Sequence, residues 1–246
     1  MRIHGFALSD IGRVRQENQD SSGLFPEHNL FVVADGMGGH KGGKQASETA
    51  VATIQQSLPP PGPTAEFDAA LARFVDAVGR ANQRILERAA SDAALERMGT
   101  TLVALLLDGQ SGGAVVHVGD SRAYRLRGGE LELLTSDHTI VNDLLRDHEI
   151  SEAEAKAHPY RHVLTRALGA GGDATADVRR ITVEAEDVYV LCSDGISGML
   201  AAEEICAILV THAADPQAVC RQLIEAANRA GGKDNATVIA VRCAPD

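Results

Sequence analysis

The sequence predicts an α+β fold built on antiparallel strands, and three observations carry that reading. Strand-sized apolar runs recur along the chain, each bounded by Gly, Asp or Ser. Apolar residues at helical spacing fill longer stretches that come in pairs. The two kinds of segment cluster instead of alternating one by one, which suits antiparallel sheets with separate helices better than regular βαβ repeats.

From the N-terminus, residues 3–8 ("IHGFAL") form a first short strand, and "ALSDIGRVRQENQDSSGLF" reads as strand, turn and hairpin return. Residues 30–34 ("LFVVA") form the next strand, and a helix is expected over 45–58. "PPPGP" at 59–63 is a stiff connector, because each Pro fixes its φ, and it is too short for a domain linker. The second helix carries Phe67, Leu71, Phe74, Val75, Val78, Ile85 and Leu86 at helical spacing. A block of four or five strands follows, with apolar runs at 102–107, 114–118 and 123–126, the last entering a hairpin turn at "RGGE". Residues 136–177 are irregular and polar, with room for a small helix or two, and are expected to form a flap beside a functional site. Two strands, one of them at 188–192, a helix marked by Ile205 and Leu209, another marked by Val219, Leu223 and Ala227, and a strand at 237–241 complete the chain. No internal repeat is visible, so residues 1–246 are read as one domain.

Composition narrows the function classes. A chain of 246 residues is long enough to bury a core without disulfides or a structural metal. With 3% aromatic residues and no Trp, that core is aliphatic. Lys and Arg number 23 against 34 Asp and Glu, a net charge of −11, and no basic cluster is dense enough for a nucleic-acid groove. A phosphate-bearing substrate would have to be held by local cations or bound metal ions. Cys192, Cys206, Cys220 and Cys243 form no C-x-x-C pair and read as small apolar residues in a reducing compartment. Neither a signal peptide nor an 18-residue apolar run is present, so a cytoplasmic, non-membrane protein is expected.

Three apolar runs end alike: "FVVADG" reaches Asp35, "VVHVGDS" reaches Asp120 and "YVLCSDG" reaches Asp194, while Asp234 opens the last strand in "GGKDNATVIAV". Any one Asp-Gly is most simply a turn. Four aspartates on four strand ends instead suggest carboxylates gathered at a sheet edge, where mutual repulsion calls for bound cations. Oxygen-only ligands favour Mg²⁺ or Mn²⁺, and no His or Cys spacing suggests zinc. Two such ions can bridge a water, lower its pKa and deliver hydroxide in line to a phosphorus atom. A competing reading takes Gly38, Gly43 and Lys44 as a nucleotide phosphate loop, but Gln45 stands where that loop needs Ser or Thr.

The motifs "SDIGRVRQENQD", "VVADGMGGHKGGKQAS", "GTTLVALLL", "VGDSRAYRL", "LTRALG", "LCSDGISGML" and "KDNATVI" occur in an order and spacing similar to those of the PPM, or type 2C, metal-dependent serine/threonine protein phosphatases, above all the compact bacterial ones. The resemblance spans nearly the whole chain. It implies an αββα sandwich, two antiparallel sheets flanked by helices, with a binuclear Mn²⁺ or Mg²⁺ centre where the sheets open. It further implies that Asp35 bridges the two ions with the Gly36 carbonyl on one of them, and that Asp194 and Asp234 ligate the other. Asp20 would hold metal-bound water, Asp120 with Asp194 would hold a third ion as in bacterial relatives, and Asn235 would be a neighbour of the ligands. Arg15 matches the family's phosphate-binding arginine, a residue whose planar fork suits phosphate oxygens. Two positions depart from the pattern. Met37 stands where many eukaryotic members have a proposed general-acid His, which leaves nearby His40 as a candidate proton donor. Gln19 replaces an acidic metal contact of some members, leaving Asp20 as contributor.

The expected activity is hydrolysis of phosphoserine and phosphothreonine in proteins by metal-activated water, without a covalent intermediate. The expected partners are phosphorylated proteins and a cognate serine/threonine kinase, with no nucleic acid and no membrane, and the chain is expected to be a monomer. Two alternatives are a catalytically inactive phosphoprotein-binding member and a nucleotide-binding switch.

Overall fold

The computed structural model describes residues 1–59 and 66–245, the side chains of residues 39, 40 and 156 excepted. Its strands form two antiparallel sheets laid face to face. One runs in the order β1 (Arg2–Asp10), β11 (Ala236–Ala244), β10 (Val188–Cys192), β7 (Arg122–Arg127) and β8 (Glu130–Leu133). The other runs β2 (Asp20–Phe25), β3 (Leu30–Met37), β5 (Leu102–Leu107), β6 (Gly112–Val118) and β9 (Asp177–Thr182), with the short β4 (Gly99–Thr100) paired to β3. Helices α1 (Gly39–Ser57) and α2 (Phe67–Ser91) cover the outer face of this second sheet, while α6 (Ala202–His212) and α7 (Pro216–Arg229) cover the first. The α+β sandwich of the expectation is therefore present.

Three apolar layers explain why the strands read as unbroken apolar runs. Along β5, Leu102, Ala104 and Leu106 point into the layer under α1 and α2, whereas Val103, Leu105 and Leu107 point between the sheets. Along β10, Val188, Val190 and Cys192 face α6 and α7, and Tyr189 and Leu191 face the other sheet. Both faces of each central strand are covered, so the polar-out alternation usual for antiparallel strands has no place in them.

Several boundaries differ from the reading of the sequence. Residues 9–25 do not make a hairpin: β1 pairs with β11 and β2 pairs with β3, so the 11–19 loop crosses from one sheet to the other. The nine-residue register of β1 against the last strand outcompetes a local return. Helix α1 starts at Gly39 instead of residue 45, because its glycines serve close packing against Met98 and β3. Asp35 lies inside β3, which runs on to Met37, and not at the strand's end. A one-turn helix α5 (Asp194–Ser197) also follows β10. The connector at 59–63 lies, beyond Pro59, outside the described residues.

Other details agree. Gly128 and Gly129 have φ of 58° and 88°, the left-handed pair that a two-residue hairpin turn demands. Between residues 136 and 177 lie α3 (Ile140–Arg146) and α4 (Glu152–Ala157), the latter started by a Ser151–Glu154 capping box. No cysteine is in a disulfide; Cys192, Cys220 and Cys243 are buried, and burial pushes each thiol up to about 12.

Candidate metal centre

The carboxylates converge where the two sheets open. Asp20, the first residue of β2, stands directly opposite Asp35 in the antiparallel register. Like charges in that position destabilise a strand pair unless something neutralises them. Asp194 begins α5 just after β10, Asp234 lies two residues before β11, and Asp120 follows β6. Asp35, Gly36, Asp120, Asp194, Asp234 and Arg15 line one cavity of about 970 Å³.

Local bonds fix this cluster. The Asp35 amide donates to Thr101 Oγ1 at 3.0 Å, and its carbonyl accepts from the Thr101 amide and Thr100 Oγ1, both at 2.9 Å. Gly36 must be glycine, because a Cβ there would meet the Gly43 carbonyl oxygen at 2.1 Å; the missing side chain on the strand lets α1 press against β3. Ser193 Oγ donates to Asp20 Oδ2 at 2.8 Å, tying β2 to the residue before Asp194. Asn235 is buried and spends its amide on the backbone: Nδ2 donates to the carbonyls of Ile11 and Glu17 at 3.0 Å, and Oδ1 accepts from the Gln19 amide at 2.9 Å. It thereby braces the loop that carries Arg15 and Asp20, a role its position in "KDNATVI" does not announce.

Burial and crowding raise the acidities together. Burial, then the charges of Asp20, Asp194, Asp120 and Asp234, pushes Asp35 well above the usual carboxylate range. Burial pushes Asp20 to about 6 and, aided by Asp194, Asp120 to about 7. Asp194 is raised by burial and by Asp234. A carboxylate cluster that must otherwise take up protons is suited to divalent cations. The donor chemistry agrees: Asp20 Oδ1 is buried without a hydrogen-bond partner, and the converging donors are oxygens, as Mn²⁺ and Mg²⁺ prefer.

The sign of the resulting pH dependence follows from linkage. Asp20 and Asp120 titrate above the unfolded value near 3.9, so the folded metal-free chain binds more protons than the unfolded one between about pH 4 and pH 7. Their contribution to stability is full below pH 4 and is lost as pH rises through 6 to 7. In chelator, the melting temperature is expected to fall by several degrees from about pH 5 to about pH 7.5, and Mn²⁺ should restore it most at the higher pH. Scanning calorimetry at both pH values checks this; a metal-free transition that rises over that interval contradicts the carboxylate assignment.

Arg15 reaches the same cavity, and its Nη2 donates to Asp234 Oδ2 at 2.6 Å. The pair is largely exposed, with side chains 53% and 35% accessible, so it exchanges partners at little cost. Met37 lines the cavity, while the side chain of His40 lies outside the described residues. Lys44 forms an ion pair with Glu17 at 3.6 Å, and every strand paired with β3 runs antiparallel to it. The glycine run is therefore not the turn of a parallel βαβ nucleotide loop. Reading the sequence missed Arg161, His162 and Lys233, which also line the cavity. Lys233 adjoins the Asp234 motif and could have been noticed, whereas Arg161 and His162 carry no sequence signal.

Residues 12–231 match the protein phosphatase 2C family. The chain is 36% identical over 247 residues to the serine/threonine phosphatase stp of Listeria monocytogenes, covering 97% of this chain and 95% of that protein. It is 39% identical over 234 residues to the serine/threonine protein phosphatase PstP of Mycobacterium tuberculosis, covering 95% of this chain and 43% of that longer protein. The crystal structure of the Mycobacterium tuberculosis serine/threonine phosphatase PstP/Ppp superposes with a TM-score of 0.89 at 36% identity over 99% of both chains. The catalytic domain of PstP solved in complex with two manganese ions gives 0.87 at 35% identity, again over 99% of both.

Proposed function

The chain belongs to the protein phosphatase 2C family and is a metal-dependent serine/threonine protein phosphatase, and we propose that the carboxylate cluster between its sheets is the reaction centre. The observation that carries this reading is Asp20 set opposite Asp35, with an unsatisfied buried oxygen, beside a cavity that also receives Arg15. Mn²⁺ or Mg²⁺ ions, when bound there, supply an activated water and neutralise the phosphate's charge.

The residues take the following parts. Asp35, with the Gly36 carbonyl beside it, and Asp194 and Asp234, which line the same cavity, would hold the cations. Asp120 with Asp194 would hold a third ion. Asp20 would hold and orient water through its buried Oδ1, which has no hydrogen-bond partner. Asn235 keeps the 11–19 loop in register with β11 through its backbone bonds. Arg15 leaves Asp234 for the phosphate, where its fork meets two oxygens at once. A covalent phosphoenzyme is not used, and Cys192, two residues before Asp194, is buried with its thiol pushed up to about 12, so it offers no thiolate. His40 is the candidate donor of the proton that the leaving alkoxide needs, with water as the alternative. His40→Asn should then flatten the high-pH limb of the kcat profile; an unchanged profile gives that step to water.

The substrates are phosphorylated serine and threonine proteins. We further propose that the chain is a monomer of one catalytic domain over residues 1–246, that it acts in the cytoplasm against a serine/threonine kinase, and that residues 136–177 form a flap selecting the target. The buried thiols suit a reducing compartment, and no described helix is long and apolar enough to cross a membrane. The deciding experiment is calorimetric titration with Mn²⁺. Binding of at least two ions is expected, with Asp120→Asn losing a weaker one; no binding at millimolar Mn²⁺ would favour an inactive phosphoprotein-binding role.

A further inference from the structure

We propose that His138 is a positioning residue that holds the Asp120 loop against the cavity and ties it to the base of the 136–177 segment. The functional half of this rests on reading Asp120 as a cation ligand. Gly119, at φ 104°, precedes Asp120, and both of its backbone polar groups are taken by one residue. Its carbonyl accepts from the His138 amide at 3.0 Å, and its own amide donates to His138 Nδ1 at 3.1 Å. With Nδ1 accepting, the ring hydrogen sits on Nε2, which faces Asp177 Oδ2 at 3.3 Å. The ring is further held by stacking on His117, with centroids 4.7 Å apart.

The same residue roots the excursion. The His138 carbonyl accepts from the Thr165 amide at 2.8 Å, the Ile140 amide donates to the Val163 carbonyl at 3.0 Å, and Thr139 bridges to Leu164. One residue earlier, Asp137 takes a two-pronged bond from Arg122, with Nε at 2.9 Å from Oδ1 and Nη2 at 2.7 Å from Oδ2. Asp120 therefore lies on a loop clamped at Gly119 by His138 and at Arg122 by Asp137. A displacement of the excursion at Thr165 acts on His138, and through its ring on Gly119.

His117, His138 and Asp177 bring three ligand atoms within 4.8 Å of one another, but they are a brace and not a further metal site. Rings stacked at 18° aim their nitrogen lone pairs in nearly parallel planes, and these cannot meet at one ion about 2 Å from each. The Arg166 guanidinium, 2.8 Å from Asp177 Oδ1 and 3.3 Å from His138 Nε2, also opposes a cation there.

The test uses two replacements that keep different halves of the imidazole. His138→Asn retains an acceptor where Nδ1 stands, whereas His138→Gln retains a polar group near Nε2 and withdraws that acceptor. In metal-free protein, amide exchange at residues 119–121 is expected to be at least about tenfold faster in the Gln variant and close to wild type in the Asn variant. Mn²⁺ calorimetry is expected to show the ion lost in Asp120→Asn weakened about 10- to 100-fold in the Gln variant, with the other ions unchanged. Equal exchange in the two variants, or faster exchange in the Asn variant, overturns the role of His138. If Asp120→Asn leaves Mn²⁺ binding unchanged, the reading of Asp120 fails, and the exchange measurement still decides whether His138 holds the loop.

Discussion

Asp194→Ala is expected to lower kcat/KM for a phosphothreonine peptide in Mn²⁺ at least about 10²-fold, and chelation of the wild-type chain is expected to abolish turnover. Asp194 is the first residue of α5, where the turn after β10 aims it into the cavity beside Asp35 and Asp234. Its loss removes one carboxylate from a set that has few to spare. A 10²-fold loss corresponds to roughly 3 kcal/mol, a modest share of what bound cations contribute to stabilising phosphoryl transfer. Damage to the fold is distinguishable from damage to the chemistry. Asp194 is buried among like charges that raise its pKa, so its removal relieves repulsion, and the melting temperature in chelator should hold or rise. Turnover that persists in chelator would overturn the metal-dependent mechanism.

Arg15→Ala is expected to lower kcat/KM about 10- to 100-fold, mainly through a higher KM, and Arg15→Lys to recover only part of the loss. Charge-assisted hydrogen bonds to a phosphate are worth about 1.5–3 kcal/mol, and a lysine restores the charge without the two-pronged geometry. Bonded to Asp234 at 2.6 Å, the guanidinium is already charged and already at the cavity, and Asp194 and Asp35 further favour its charged form. Steady-state kinetics on the phosphopeptide check this. A lysine variant equal to wild type would reduce Arg15 to a general positive charge, and an alanine variant equal to wild type would remove it from substrate binding.

The two predictions depend differently on what can be read from the linear chain. Asp35, Asp194 and Asp234 were legible because short-range chemistry marks them: each ends or opens an apolar run, and each sits beside turn-forming residues. The strands were legible for the same reason, since covering both sheet faces makes β3, β5, β10 and β11 apolar at nearly every position. The helices α2 and α7 announced themselves by periodicity. The start of α1 did not, because its glycines look like a loop until the approach of β3 and Met98 explains them.

By itself, then, the order of residues determined the antiparallel α+β class, the aliphatic strands and the aspartates that close or open apolar runs, all consequences of burial and local backbone preference. The three-dimensional structure alone decided that β1 and β2 belong to different sheets and that Asp20 faces Asp35. It alone decided that Asn235 braces a loop by backbone bonds and that His138 grips Gly119. These depend on contacts between residues remote in sequence, such as Ser193 with Asp20 at a separation of 173 and Arg15 with Asp234 at 219. Cross-strand register is a competition among all possible partners, so no local pattern encodes the winner.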